Sequence, residues 1–355
     1  MKPAARTLRV AVLAPISWRV PPRRYGPWEQ FASLLTEGLV RRGVDVTLFA
    51  TADSITTARH IGTAPTGYSE DPALHAKVWE ALHISAVFER AAEFDVIHNS
   101  FDFLPLTYSG LVDAPIVTTI HGFSSEQIVR VFEKYNERGY YVAISESDRH
   151  ERLDYAATIH HGIDLNEFEL QRKPGDYLLF FGRIHPDKGT VEAIDVAESI
   201  GLPLKIAGII QDREYFERAV EPRLDGELVQ YIGPVGPDRR GDVLGGARAL
   251  LHLINFDEPF GFSVVEAIAC GTPVIASRRG SMVEIVEHAV NGYLVESQVE
   301  AVAAVEAAKD LDRAAVRASI ESHFDVERMV DDYLALYLRV AARHRGGRVR
   351  AHVAG

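Results

Sequence analysis

Three short segments of this sequence gather residues suited to a phosphorylated ligand rich in hydroxyls. The first, GRIHPDKG from Gly182 to Gly189, follows the apolar run Tyr177–Phe181. Arg183 and Lys188 share that loop. A guanidinium offers paired donors and an ammonium a compact charge, a combination that suits a diphosphate. Gly182, at the end of the apolar run, lets a ligand approach the backbone. The plainer alternative is a solvated loop with two ordinary surface cations.

The second segment is EPFGFSVVEAIACGTPVIAS, Glu258 to Ser277. The N–H groups of Phe260, Gly261 and Phe262 open a helix and offer an anion site. A carboxylate would repel a bare phosphate there. Glu258 and Glu266 make sense if they accept hydrogen bonds from neutral hydroxyls on either side of it, a sugar on one side and a ribose on the other. Charge complementarity at a helix start would explain Glu266 taken alone. The third segment is TTIHGFSSEQ, Thr118 to Gln127, where His121 ends a buried run. Imidazole can hydrogen-bond a hydroxyl or titrate near neutrality. A satisfied histidine at a strand end is the simpler alternative.

Such loops need a scaffold, and the periodicity supplies one. Apolar runs at Leu8–Ala14, Val44–Ala50, Asp95–Asn99, Ile116–His121 and Tyr141–Ile144 predict strands in the first half. Tyr177–Phe181, Leu204–Ile209, Val229–Ile232, Ala249–Leu253 and Pro273–Ala276 predict strands in the second. Most lack polar alternation, as in parallel strands covered on both faces. Helix-period segments separate them, as at Trp28, Phe31, Leu35 and Leu39. The class is α/β, with two Rossmann-like doubly wound domains. The polar stretch Gln171–Asp176, with Pro174 and Gly175, is the expected linker. The expected domains are 1–170 and 171–325, with a helix over 326–342 packing back on the first and a flexible tail over 343–355.

Composition narrows the classes of function. The chain has 355 residues, a formal charge of −12, 47% hydrophobic and 25% charged residues, and one cysteine, Cys270. That length exceeds what one core usually serves. The negative balance argues against nucleic acid as a partner. No apolar run is long enough for a membrane span. The first apolar run ends too early for a signal peptide, and a lone cysteine fits a reducing compartment, so a cytoplasmic location is expected. Oligomeric state is left open. Asp310-Leu311-Asp312 has the spacing of a metal motif but falls in a helical region away from any strand end. Ser281 and Glu284 have capping spacing, and the loop Arg278–Met282 also lies at a strand's carboxyl end.

Taken together, these segments resemble retaining glycosyltransferases of the GT-B fold, family 4. The resemblance rests on Glu258 and Glu266 around Pro-Phe-Gly, on Gly182-Arg183 with Lys188-Gly189, on His161-Gly162-Ile163-Asp164, and on Gly271-Thr272-Pro273-Val274. It spans Arg9 to about Tyr337. It implies two domains facing a cleft, the first on the acceptor side and the second on the donor side. It implies that Arg183 and Lys188 neutralise a donor diphosphate, that Glu258 binds the transferred sugar with help from the N–H groups of Phe260, Gly261 and Phe262, and that Glu266 holds the ribose. His121 would contact a hydroxyl of the donor sugar, and Tyr25-Gly26 would belong to the loop that covers the phosphates. The family often has two glycines in that loop where this chain has Gly26-Pro27, and often asparagine where this chain has His161.

The expected reaction moves a hexose from a UDP- or GDP-linked donor to a hydroxyl of a small-molecule or glycan acceptor. Configuration is retained, and neither metal nor other cofactor is required, because Arg183 and Lys188 supply the positive charge. A nucleotide-sugar epimerase and a non-enzymatic two-lobed sugar-binding protein are the alternatives.

Overall fold

The structure, a computed structural model, describes residues 7–353, with side chains through Arg345. It divides into two compact units. One comprises the chain up to Gly162 together with everything from Val326 onward, and the other is Ile163–Asp325.

The first unit is built on seven strands: β1 (Arg9–Leu13), β2 (Asp45–Ala50), β3 (Arg59–Gly62), β4 (Val96–Asn99), β5 (Ile116–Ile120), β6 (Gly139–Ala143) and β7 (Tyr155–Thr158). They form one sheet in the order β3-β2-β1-β4-β5-β6-β7. Every ladder is parallel. β1 is buried from Val10 to Leu13, as the unbroken apolar run requires. Helix Pro27–Arg41 starts on proline, whose missing N–H costs nothing at that position. It buries Phe31, Ala32, Leu35 and Leu39.

Helix Val326–Val353 completes this unit. Met329, Val330, Tyr333, Leu336 and Tyr337 are buried along it. Gly38 makes room for it, since a Cβ there would lie 2.4 Å from Val330 Cγ2. The Tyr333 hydroxyl pairs with Thr119 Oγ1 at 2.7 Å, and that of Tyr337 with His98 Nδ1 at 2.8 Å. The tail expected from Arg343 instead continues this helix to Val353. No proline follows Val326 to interrupt the backbone ladder.

The second unit carries six strands: β8 (Leu178–Phe181), β9 (Leu204–Ala207), β10 (Val229–Gly233), β11 (Ala249–His252), β12 (Val274–Ser277) and β13 (Gly292–Val295). Their order is β10-β9-β8-β11-β12-β13, again all parallel. The division falls at Gly162/Ile163, ahead of the linker expected at Gln171–Asp176. The intervening residues are tied into the second unit. Ile163 bridges to Asp325, Arg317 donates to the carbonyls of Leu165 and Phe168, and Gln171 N–H donates to Cys270. Among the described residues, no helix is long and apolar enough to cross a membrane.

Candidate active site

In each sheet the strand order reverses once. It does so between β1 and β4 in the first unit and between β8 and β11 in the second. Open parallel sheets bind ligands outside the carboxyl ends of the strands at such a switch point. The two charged segments of the second unit leave from that place. Arg183 and Lys188 follow β8, and Glu258 follows β11.

Lys188 closes a short turn, Pro186–Lys188, that His185 caps by accepting from Asp187 N–H. Gly189 follows at φ 72°, and a Cβ on it would stand 1.8 Å from the Leu253 carbonyl oxygen. Only glycine fits there. Gly182 is different, since a Cβ on it would meet nothing nearer than 3.8 Å. The crowded glycine of this segment is Gly189, and the space beside Gly182 is open. Arg183 donates to Gln211 Oε1.

Lys188 Nζ donates to Glu258 Oε2 and lies 4.6 Å from the centroid of the Phe256 ring. Both side chains are mostly buried, at 11% and 14% exposure. Burial pulls the Lys188 ammonium below its ordinary range. It would also push Glu258 up, but the His252 imidazole and the Lys188 ammonium outweigh it and hold Glu258 at about 2. His252 Nε2 stands 3.6 Å from Glu258 Oε2, just beyond direct hydrogen-bond distance. Glu258 is therefore ionised at neutral pH.

Neighbouring backbone fixes the Glu258 loop. Ser281 Oγ donates to the Phe260 carbonyl at 2.7 Å, and Ser281 N–H donates to that of Glu258. Helix Phe262–Ala269 then begins after Gly261, at φ 90°, with no side-chain cap on its first turn. Its N-terminus carries the positive end of the helix dipole. Glu266, one turn in, is 5% exposed and accepts from Arg240 Nη1 at 2.9 Å. Burial raises its pKa and Arg240 opposes that.

His121 and Gly26 lie in the first unit. His121 follows β5 and is buried. Its Nε2 meets Ser100 Oγ at 2.8 Å, its Nδ1 meets His161 Nε2 at 3.3 Å, and Trp28 stacks on the ring. Burial, with His161 and His98 alongside, holds its pKa well below the ordinary value. Of the two behaviours expected of His121, titration near neutrality is therefore removed, and a neutral hydrogen-bonding imidazole remains. His161, where the resembling family often has asparagine, is the other end of that contact.

Gly26 precedes helix Pro27–Arg41 at φ 145° and borders a cavity of about 430 Å³ lined by residues of the first unit alone. Asp312 caps helix Arg313–Glu321 by accepting from Ala314 N–H, so its role is structural. Among the described residues, no cluster of three or more His, Cys, Asp or Glu could hold a metal ion. Sequence reasoning missed Arg240, His252, Gln211, Glu29 and Asp102. Arg240 is one of two consecutive arginines on helix Pro237–Gly245, a pattern that by itself names no chemistry.

Residues 164–315 match the family described as "Glycosyl transferases group 1", and residues 29–167 match "Glycosyltransferase Family 4". The chain belongs to the group 1, family 4 glycosyltransferases. An uncharacterized glycosyltransferase of Methanocaldococcus jannaschii is 26% identical over 332 residues, covering 80% of this chain and 84% of that protein. A D-inositol 3-phosphate glycosyltransferase of Saccharomonospora viridis is 28% identical over 227 residues, covering 54% of this chain and 52% of that protein. Among solved structures, a glycosyltransferase involved in avilamycin A biosynthesis superposes with a TM-score of 0.70 at 25% identity, covering 94% of this chain and 98% of its own. The Anabaena protein HepE in complex with UDP-glucose also gives 0.70, at 18% identity, covering 96% and 100%. This family 4 enzyme therefore has the GT-B fold, with two Rossmann-like sheets, and uses a nucleotide-sugar donor.

Proposed function

We propose that this glycosyltransferase transfers a hexose from a UDP- or GDP-linked donor to an acceptor hydroxyl with retention of configuration. The observation that carries the reading is the buried Lys188–Glu258 pair, beside Arg183 and an uncapped helix N-terminus at one switch point. A donor diphosphate takes Lys188 and Arg183, and Glu258 turns to hydroxyls of the sugar. Glu266, positioned by Arg240, accepts from the ribose. The neutral His121 contacts the sugar on the side of the first unit, and Gly26 belongs to the loop that covers the phosphates. The UDP-glucose bound by HepE supports UDP among the candidate bases.

In the reaction the bond between C1 and the diphosphate oxygen breaks, and the electron pair leaves with the diphosphate. The acceptor oxygen bonds to C1 on the same face and gives its proton to the departing phosphate. Fixed cations and the helix dipole stabilise the growing negative charge. No metal is assigned to this step.

The two glutamates separate experimentally. Glu266→Ala loses contacts made to nucleotide and nucleotide sugar alike, so both bind at least tenfold more weakly by calorimetry. Glu258→Ala retains affinity for the bare nucleoside diphosphate within a few-fold, because it also frees Lys188, but slows single-turnover transfer at least tenfold. A carboxylate–hydroxyl hydrogen bond is worth roughly 1.5–3 kcal/mol, enough for both effects. Loss of nucleotide binding in Glu258→Ala, with Glu266→Ala unaffected, would reverse the donor's orientation.

A further inference from the structure

β11 ends on His252, which has no part in the transfer as proposed. The residue is 6% exposed, and its Nε2 is buried with no hydrogen-bond partner. A buried polar atom in that state calls for an explanation. Glu258 Oε2 stands 3.6 Å away, and Lys188 Nζ donates to that same oxygen. Two nitrogens thus converge on one carboxylate oxygen, one bonded to it and one just out of reach. Packing of the strand does not account for the imidazole. Ala249, Leu250 and Leu251 precede it, all buried, and an apolar side chain would continue that run.

The three side chains share one frame. Asn255 N–H donates to the Asp187 carbonyl at 2.7 Å, and Asn255 Nδ2 to that of Pro186 at 3.3 Å. Gly189 packs against the Leu253 carbonyl so closely that a Cβ would not fit. The turn that carries Lys188 is therefore fastened to the chain between His252 and Glu258. A diphosphate can draw away the ammonium on its flexible stem, while the imidazole stays beside the carboxylate. Glu258 is then a mostly buried carboxylate that has lost its cation, a costly state unless another donor replaces it.

We propose that His252 is a positioning residue for Glu258, taking over Oε2 from Lys188 when the donor diphosphate claims the ammonium. The inference deepens the transferase reading and rests on it for the diphosphate and the sugar. Without donor, Lys188 neutralises Glu258. In the donor complex His252 Nε2–H donates to Oε2, and the remaining lone pairs of the carboxylate accept from sugar hydroxyls. The ionised carboxylate selects the tautomer that carries its proton on Nε2, because it would repel a ring lone pair there.

Histidine NMR and single-turnover kinetics on the full chain test the exchange of partners. His252→Gln removes one imidazole signal and so assigns it. In Lys188→Met, without ligand, the Nε2–H proton of His252 is expected to move downfield as it bonds the carboxylate. An unmoved signal would overturn the proposal. His252→Leu is expected to slow transfer roughly tenfold or more, with affinity for UDP or GDP within a few-fold of the parent. His252→Gln, whose amide still donates, should recover most of that loss. In a Glu258→Ala background His252→Leu should cost nothing further, since the group it holds is gone. An equal loss with and without Glu258, or no loss in either, would also overturn the proposal. Melting curves establish that each variant folds, and His252→Met replaces His252→Leu if that variant does not. The transferase reading fails separately, if the parent turns over no nucleotide sugar with any acceptor, whereas the signal in Lys188→Met is read without donor.

Discussion

Glu29 is an acid held where water scarcely reaches, at 2% exposure. Burial raises its pKa from 4.5 to about 7, with the backbone N–H groups of Glu29 itself and of Trp18 opposing. Between those values the folded chain keeps a proton that the unfolded chain has already lost. Stability therefore falls as pH rises through the window, by on the order of 3 kcal/mol once the pH exceeds 7. Glu29→Gln removes that term, so the variant should gain stability relative to the parent between pH 5 and pH 8. Denaturant melts at the two pH values measure it, and an equal difference at both would refute it. Glu29 was legible in the sequence only as an acid in a first helical turn, since its burial comes from Trp18 and the loop after β1. The site glutamates were more visible, because Glu258 and Glu266 are fixed by local spacing. Their partners Lys188, Arg240 and His252 are up to 70 residues away, and of these only Lys188 lay in a segment that could be singled out.

Among the elements, the loop after β8 separates a glycine required by the fold from one that leaves space. Gly189→Ala forces a Cβ against Leu253 and an alanine to φ 72°. It should destabilise the protein by about 2 kcal/mol or more in denaturant unfolding. Gly182→Ala meets no such obstacle and should unfold like the parent, while weakening donor binding roughly tenfold if the diphosphate occupies that space. Equal stability of the two variants would contradict the crowding at Gly189. The strands themselves were readable where both faces are covered. The three that sequence periodicity missed, β3, β7 and β13, are all sheet edges. β3 and β7 have no fully buried residue, and β13 opens on Gly292 and leaves Tyr293 half-buried, so none gives the continuous apolar run that marks the inner strands. The boundary was misplaced for a related reason. A polar Pro-Gly stretch marks a turn in the sequence, but which unit owns the preceding residues depends on Arg317 and Asp325, far along the chain.

On the scale of the molecule, the first unit is interrupted by the whole of the second. Ending the chain at Asp325 would strip His98 and Thr119 of their tyrosine hydroxyls and uncover the face of helix Pro27–Arg41 that Val330 packs against. Amide protection across β1–β7 should then fall by at least an order of magnitude in hydrogen exchange, while β8–β13, with their own core, keep theirs. Full protection of β1–β7 in that variant would mean that the last helix is dispensable. The same interruption sets an order of events on the ribosome. Residues 163–325 form a continuous segment that can fold as soon as it clears the exit tunnel. The sheet synthesised first must wait for Met329, Tyr333 and Tyr337, with its apolar face unsealed throughout. At roughly 5–20 residues per second, that wait lasts from several seconds to about half a minute, and it falls on the half of the nascent chain most in need of a chaperone.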